Sequence, residues 1–523
     1  MPQSSSGLRV CLLMAAAACW FHWTTHHVET SFADGLRYIN EARQIAAGDF
    51  SGGVLRAIDH PLHALSIAAT HAVLGGDSPF AWQTAAQVAA FCALILAVIP
   101  LYLLAREAFD DETTAWVACV LVVANPVLGY VAVNVLSEST FLLFWLWGLW
   151  ASARFLREGR FGWLPPAIGC GVLAYLTRPE GLLLHAALVL TLLLLPMRHV
   201  TRIYWPRWWS AVALLVLGPM LLVAPYVMVK GTIGTKPAFA RVIGILPESS
   251  PLALERDTPP RPGQTTFQAY GVATSRVFKA LRGAVTLPLI PLAVLGLAVA
   301  RPDAARSRLR LFFGVIVAAS AFGLVRLHVT GGYCTVRHAL IPAIPLILAA
   351  SHGLCRLLKN LSFDAARLHL GEGRLRPGPV VWVVVLGLIA ARPLDLWQTP
   401  SQSSFLPYRL AGAWLAGRPD ADGGVLDLTD WSLFFSGKRG EGFEAVTEAS
   451  TRSKTRWLVV REAHVLGHNR AGEIARKLVA GRQPVARFPE NPGPKQVQVE
   501  VYDLNAPVSA LASDIPENGT RLR

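Results

Sequence analysis

Residues 139–197 read STFLLFWLWGLWASARFLREGRFGWLPPAIGCGVLAYLTRPEGLLLHAALVLTLLLLPM. Three apolar runs, 139–154, 162–177 and 181–197, are separated by two short polar breaks. The first break carries Arg154, Arg157 and Arg160; the second is Thr177-Arg178-Pro179-Glu180-Gly181. Apolar runs this long, close to the ~20 residues a helix needs to cross a bilayer, predict helices going back and forth through a membrane. Pro179 and Gly181 are helix breakers and predict a tight reversal between the second and third runs.

The same pattern extends in both directions. Further spans are expected near 8–25, 80–105, 113–132, 209–229, 284–300, 311–327, 339–357 and 379–394, making about eleven. Composition agrees: 53% of the 523 residues are hydrophobic, only 16% are charged, and the mean hydropathy is +0.42. A soluble domain is about a quarter charged.

The formal charge is +14. Its arginines cluster between apolar runs rather than in a basic tail, which argues for a membrane and against nucleic acid as the partner. Alternating spans put Arg154, Arg157, Arg160, Arg306, Arg308, Arg310, Arg356 and Lys359 on one side. That richer side is expected to be cytoplasmic. The N-terminus is then inside, and loops 25–79 and 230–283 are outside. The first run could alternatively be read as a signal peptide, without moving loop 25–79. The seven cysteines show no CxxC spacing and read as small apolar residues.

The polytopic helical domain is expected to cover 1–394. From 395 to 523 charges return, and short strand-like and helix-like segments alternate, predicting a small C-terminal α/β domain on the outer face. Strands are expected in GGVLDLTDWSLFF (423–435), TRWLVVREA (455–463) and QVQVEVYDL (496–504), and helices in YRLAGAWLAGR (408–418) and NRAGEIARKLVAG (469–481).

The first outer loop carries FADGLRYINEARQIAAGDF (32–50). Asp34, Tyr38, Ala42, Ile45 and Ala46 share one helical face, with Arg37, Glu41 and Gln44 turned elsewhere. A short amphipathic helix along the membrane surface is expected, with Asp34 in its first turn, where the residue also suits a cap. Then comes DHPLHAL (59–65), with Pro61 suited to start a helix. His60 and His63 are spaced HxxH, but no third ligand accompanies them, so no metal site is expected.

Acids and arginines recur at the outer ends of the runs: Glu138 in VLSEST, Arg178 and Glu180 in TRPEG, Arg337 and His338 in YCTVRHAL. Singly, each reads equally well as an interfacial anchor, a surface ion pair or a helix-dipole carboxylate.

Together, DGLRYINEARQIAAGDF, DHPLHAL, LLAREAFDDETTAWVACVLVVANP, NPVLGYVAVNVLSESTFLLF and LAYLTRPEGLLL resemble the GT-C membrane glycosyltransferases. The likeness is to family 39-like members: protein O-mannosyltransferases and aminoarabinose transferases. It is clear over about 10–200 and looser over 330–350. It implies transfer of a sugar from a polyprenyl-phosphate donor to a protein, lipid or glycan acceptor outside the cytoplasm, in a bacterial inner membrane with a periplasmic site. Asp34 matches the acid of the first outer loop and would be the catalytic base. Gly35 stands where some members have a second acid, so metal is not favoured and no cofactor is expected. Such chemistry needs a base at the nucleophile and positive charge on the departing phosphate. The expected donor-phosphate residues are Arg178, Arg337 and His338; the expected acceptor or sugar residues are Glu138, Tyr38 and His60. A lipid or glycan flippase and a non-catalytic scaffold remain the rival readings. A flippase would call for ionisable residues deep in the spans, where His185 stands nearly alone.

Overall fold

The structure, a computed structural model, describes residues 3–26, 28–195, 205–234, 237–244, 265–299, 304–360, 403–418, 423–428, 430–442, 455–461, 465–466, 470–492 and 497–507. The expected span at 379–394 and most of the loop at 246–268 lie outside these residues.

The chain forms two compact units. The first comprises 1–25, 40–72 and 86–398; the second comprises 26–39, 73–85 and 399–523. In chain order the helices are α1 (Gln3–Thr25), α2 (Ala33–Ala46), α3 (Pro61–Leu74), α4 (Pro79–Phe109), α5 (Glu112–Val123), α6 (Pro126–Val133), α7 (Glu138–Glu158), α8 (Leu164–Tyr175), α9 (Leu182–Leu194) and α10 (Trp205–Lys230). There follow α11 (Pro237–Ile243), α12 (Thr266–Val285), α13 (Leu289–Val299), α14 (Ala304–Gly331) and α15 (Leu340–Asn360). Five helices are long and apolar enough to cross a membrane: α1, α4, α10, α14 and the stretch Val336–Lys359 containing α15. Counting each bent pair as one span gives up to seven among the described residues. This is a multi-pass membrane protein, with five to seven such spans among the described residues against about eleven expected over the whole chain.

Several of the expected runs are interrupted or short, for local reasons. The run at 113–132 is broken at Asn125, which caps α6 by accepting the Val127 N–H at 2.9 Å, and the two halves bend by 50°. The run at 284–300 does not form one helix. Thr286 takes a left-handed φ of 68° ahead of Pro288, so α12 ends there and α13 leaves at 85°. The 11 residues of α13 cover roughly 17 Å, about half a bilayer core. α8 and α9 likewise have only 12 and 13 residues.

α4 and α15 are largely buried, whereas α10 leaves Met220, Leu221 and Met228 at 63%, 73% and 82% exposure, as suits a lipid-facing helix. α13 crosses α15 at a glycine contact. A Cβ on Gly353 would lie 2.0 Å from the Leu292 carbonyl oxygen, and one on Gly296 would lie 1.9 Å from that of Ala349. Only glycine lets these backbones approach, the usual means of packing helices in lipid. Gly353→Ala is expected to destabilise the protein by about 1–3 kcal/mol, since backbone rather than a mobile side chain blocks the methyl group. Thermal unfolding in detergent measures this; an unchanged midpoint would contradict the close approach of the two backbones.

Acids around the turn between α4 and α5 pair with cations from distant segments. Glu107 pairs with Arg154 and Arg157 at 3.3 and 3.2 Å. Asp110, Asp111 and Glu112 pair with Arg306, Lys359 and Arg9 at 3.8, 3.4 and 3.7 Å. These cations come from four separated segments that meet around the turn between α4 and α5. Asp111 also caps α5. Burial pushes its carboxyl upward, but the Thr114 hydrogen bonds and the Lys359 charge outweigh this and hold it below the usual carboxylate range.

In the second unit, helix α16 (Leu406–Ala416) precedes β1 (Gly424–Asp427), α17 (Trp431–Ser436), β2 (Gly440–Gly442), β3 (Thr455–Arg461), α18 (Arg470–Val479), β4 (Ala486–Phe488) and β5 (Val499–Asp503). The sheet order is β2-β1-β3-β5-β4; β1 runs parallel to β2 and β3, while β5 runs antiparallel to β3 and β4. The small α/β fold matches the expectation. The strand expected through 435 stops at Asp427, however. Asp430 turns left-handed (φ 66°), and the Asp427 carboxylate accepts the Leu433 N–H at 3.0 Å, so Trp431 onward is helical. The segments 26–39 and 73–85 belong to this unit and pack on α16 and α17, with Phe80 against Arg409 and Phe435. Arg409 pairs with Glu29 at 2.7 Å, and Trp431 Nε1 donates to the Ser31 carbonyl at 2.9 Å.

Candidate active site

α7 has 21 residues, roughly 30 Å at 1.5 Å per residue, and it joins the Glu107–Arg154 end to an opposite end that starts at Glu138. There a buried ionic cluster forms. The Glu138 carboxylate pairs with Arg178 Nη1 at 2.7 Å and with Arg337 Nε at 3.7 Å. Arg178 also grips Glu180 with two parallel bonds, Nη2 to Oε1 at 2.8 Å and Nε to Oε2 at 3.3 Å. The Glu138, Arg178 and Arg337 side chains are 6%, 11% and 16% exposed, whereas Glu180 is 36% exposed. A small cleft opens here, with His338 on its polar side and Phe141, Leu142, Leu340 and Ile341 as its apolar wall.

Each member is held by local backbone structure. Glu138 follows Val135, whose φ of 56° is strained for a β-branched residue. Such strain costs about 1–3 kcal/mol and persists only where the surroundings impose it. His63 imposes it here: fully buried, it bonds Thr140 Oγ1 through Nδ1 at 2.9 Å and reaches the Val135 carbonyl through Nε2 at 3.4 Å. Arg178 sits on the reversal after α8. Gly181 is required there, because a Cβ would lie 2.1 Å from the Tyr175 nitrogen. The Leu62 N–H donates to the Leu176 carbonyl at 2.9 Å, tying the DHPL segment to this turn. Arg337 lies in the single turn Val336–Ala339. Its capping box is closed by His338, whose Nδ1 accepts from the Thr335 N–H at 3.2 Å and meets Thr335 Oγ1 at 2.9 Å. With Nδ1 accepting, the neutral ring carries its proton on Nε2.

The structure therefore brings together Glu138, Arg178, Arg337 and His338, drawn from three separated segments. His60 joins a different set. It is 1% exposed and packs on Tyr175 and Tyr226, with ring centroids 4.8 and 5.7 Å away. Lys230, the last residue of α10, donates to the Val54 carbonyl at 2.6 Å and to that of Ala57, within the field of Glu41 and Asp59. Asp34 and Tyr38 belong to the second unit. Asp34 lies in the first turn of α2, 26% exposed and paired with Arg37 at 3.2 Å; Tyr38 is 2% exposed.

Sequence reasoning missed Glu41, Tyr175, Tyr226 and Lys230. Glu41 was expected to face away from the buried stripe, yet it is 6% exposed. The stripe of α2 runs Tyr38, Glu41, Ala42, Ile45, and Ala46 is exposed instead. A carboxylate is tolerated there because Lys230 comes from 189 residues away, which no local pattern announces. Among the described residues, no three or more His, Cys, Asp or Glu converge on one point.

The fold, a mostly helical membrane protein with a small α/β unit, is similar to the folds of several solved glycosyltransferases. Residues 59–223 match the family model described as dolichyl-phosphate-mannose-protein mannosyltransferase. No curated protein matches the chain in sequence. Among solved structures the chain is similar to ArnT from Cupriavidus metallidurans bound to undecaprenyl phosphate, with a TM-score of 0.58 and 14% identity, covering 96% of this chain and 98% of that one. It is also similar to the archaeal oligosaccharyltransferase AglB from Archaeoglobus fulgidus, in complex with an inhibitory peptide and a dolichol-phosphate. There the TM-score is 0.53 at 12% identity, covering 97% of this chain and 75% of that one. For the arabinofuranosyltransferase AftD from Mycobacteria the values are 0.53 and 14%, with 95% of this chain matching 40% of that one.

Proposed function

We propose that this protein is a glycosyltransferase that moves a sugar from a polyprenyl-phosphate carrier to an acceptor at the non-cytoplasmic face of a bacterial inner membrane. The observation that carries the reading is the convergence of Arg178, Arg337 and His338 around Glu138 beside an apolar wall. Guanidinium groups next to lipid-like surface suit a phosphate on an isoprenoid tail. The fold of ArnT and AglB, whose structures hold undecaprenyl phosphate and dolichol-phosphate, supports the same choice of donor.

In this reading the acceptor's oxygen or nitrogen attacks the anomeric carbon, the bond to the phosphate oxygen breaks, and the configuration inverts. Asp34 takes the acceptor's proton, a role that rests on the resemblance and on its place in the first outer loop. Arg178 and Arg337 balance the charge that grows on the leaving phosphate. Glu138 sets the spacing of the two arginines, and Tyr38 and His60 help hold the sugar or acceptor. Glu180 occupies the fork of Arg178 that a phosphate would take, so it is the carboxylate that gives way when the donor binds.

Asp34→Asn is expected to lower kcat by about 100-fold or more, the usual contribution of a positioned base. Donor affinity should be retained. Turnover of a polyprenyl-phosphate sugar by folded, purified variant checks this. A rate within a few-fold of the wild type would remove Asp34 from proton transfer while leaving the donor site untouched.

A further inference from the structure

We propose that α12 is an interfacial helix that binds the anionic headgroups of the bilayer at the Glu138 end of the molecule. Three observations converge on it. First, α12 turns 85° away from α13, so a helix that enters the apolar layer continues into one lying nearly across it. Second, the end of α12 is fixed at the Glu138 end. A Cβ on Gly283 would lie 3.1 Å from Val336, the neighbour of Arg337, and the Ala284 carbonyl accepts from Asn125 Nδ2 at 2.7 Å.

Third, its outward surface is sorted by chemistry. Ala273, Val277, Ala280 and Ala284 face the protein. Phe267 and Phe278, 88% and 62% exposed, are 11 residues apart and so share one edge three turns long. On the rest of the outward surface Arg282, Lys279 and Arg276 are all exposed, Arg282 next to the aromatic edge and Arg276 nearly opposite it. The helix carries no Asp or Glu. The packed neighbour α14 adds a further cation, Arg326, which donates to the Tyr270 hydroxyl at 3.0 Å.

Aromatic rings at the level of the acyl chains with arginine and lysine beside them at the level of the phosphates is the arrangement that holds an amphipathic helix in an interface. Charge complementarity selects the partner. Each cation near an anionic surface adds attraction that falls within a Debye length. A zwitterionic headgroup offers no comparable net field. The surface thus favours anionic glycerophospholipid over its zwitterionic counterpart, independently of whether the chain transfers a sugar.

The test is lipid photocrosslinking. Full-length protein with benzoylphenylalanine in place of Phe278 is reconstituted in nanodiscs of phosphatidylcholine with 30 mol% phosphatidylglycerol, and adducts are quantified by mass spectrometry. Phosphatidylglycerol adducts should exceed their mole fraction at least threefold. That excess should vanish in R276Q/K279Q/R282Q and fall in 1 M NaCl, while R276K/R282K keeps it. Adducts that follow bulk composition in every variant would overturn the charge selection. Adducts to protein only, or none at all, would overturn the interfacial placement. Equal melting midpoints for the variants separate lost binding from lost folding.

Discussion

Glu138→Ala is expected to destabilise the protein by about 3–5 kcal/mol, the cost of leaving buried charge without its partner. The carboxylate lies 2.7 Å from Arg178 and 3.7 Å from Arg337, and both guanidiniums are largely shielded from water. Removing Glu138 takes away the carboxylate that pairs with both arginines. Glu138→Gln keeps the shape and one acceptor oxygen but not the charge, so its loss should fall between wild type and alanine. Combining Glu138→Ala with Arg178→Met removes both charges and should restore part of the stability, giving the non-additivity of directly coupled residues. Thermal unfolding of the four proteins in one detergent measures the cycle. Strict additivity would show that the pair does not interact.

Arg178→Ala is the second large effect, and it falls on activity. Removing one fixed donor from a developing anion costs about 100–1000-fold in kcat. The loss should appear in kcat and in donor KM, since the guanidinium holds the phosphate before and during bond breaking. Arg178→Lys should recover little, because an ammonium cannot reproduce the fork that grips Glu180 through two nitrogens. Glu180→Gln should act in the opposite sense on binding, lowering donor KM by several-fold, because a competing carboxylate has been made neutral. A Glu180→Gln enzyme with weaker donor binding would contradict the exchange of carboxylate for phosphate.

The membrane class and many of the helices were legible because apolar length is a local property. α1, α4, α10, α14 and α15 all lie where unbroken apolar runs predict them. The TRPEG reversal was legible too, since Pro179 and Gly181 can do little else between two such runs. The bends within two of the runs were not. An apolar run says nothing of a bend, and the breaks at Asn125 and Thr286 depend on single residues whose caps and dihedrals are set by the surrounding packing.

The candidate site was partly legible. Glu138, Arg178 and Arg337 could each be placed at the outer end of a run, but their meeting is tertiary. The roles of His63 and Lys230 were hidden for the same reason. His63 suggested a metal pattern by its spacing to His60, yet the fold uses it to hold a strained turn. Lys230 looked like the end of a span, and its carbonyl partners lie more than 170 residues earlier.

Equilibrium binding of undecaprenyl phosphate to the purified protein, wild type against Arg178→Ala and Arg337→Ala, tests most directly whether the Glu138 cluster holds a lipid-linked phosphate. The cluster predicts affinity reduced at least tenfold in each variant. Equal affinity for all three, with each shown to be folded, would place the phosphate elsewhere.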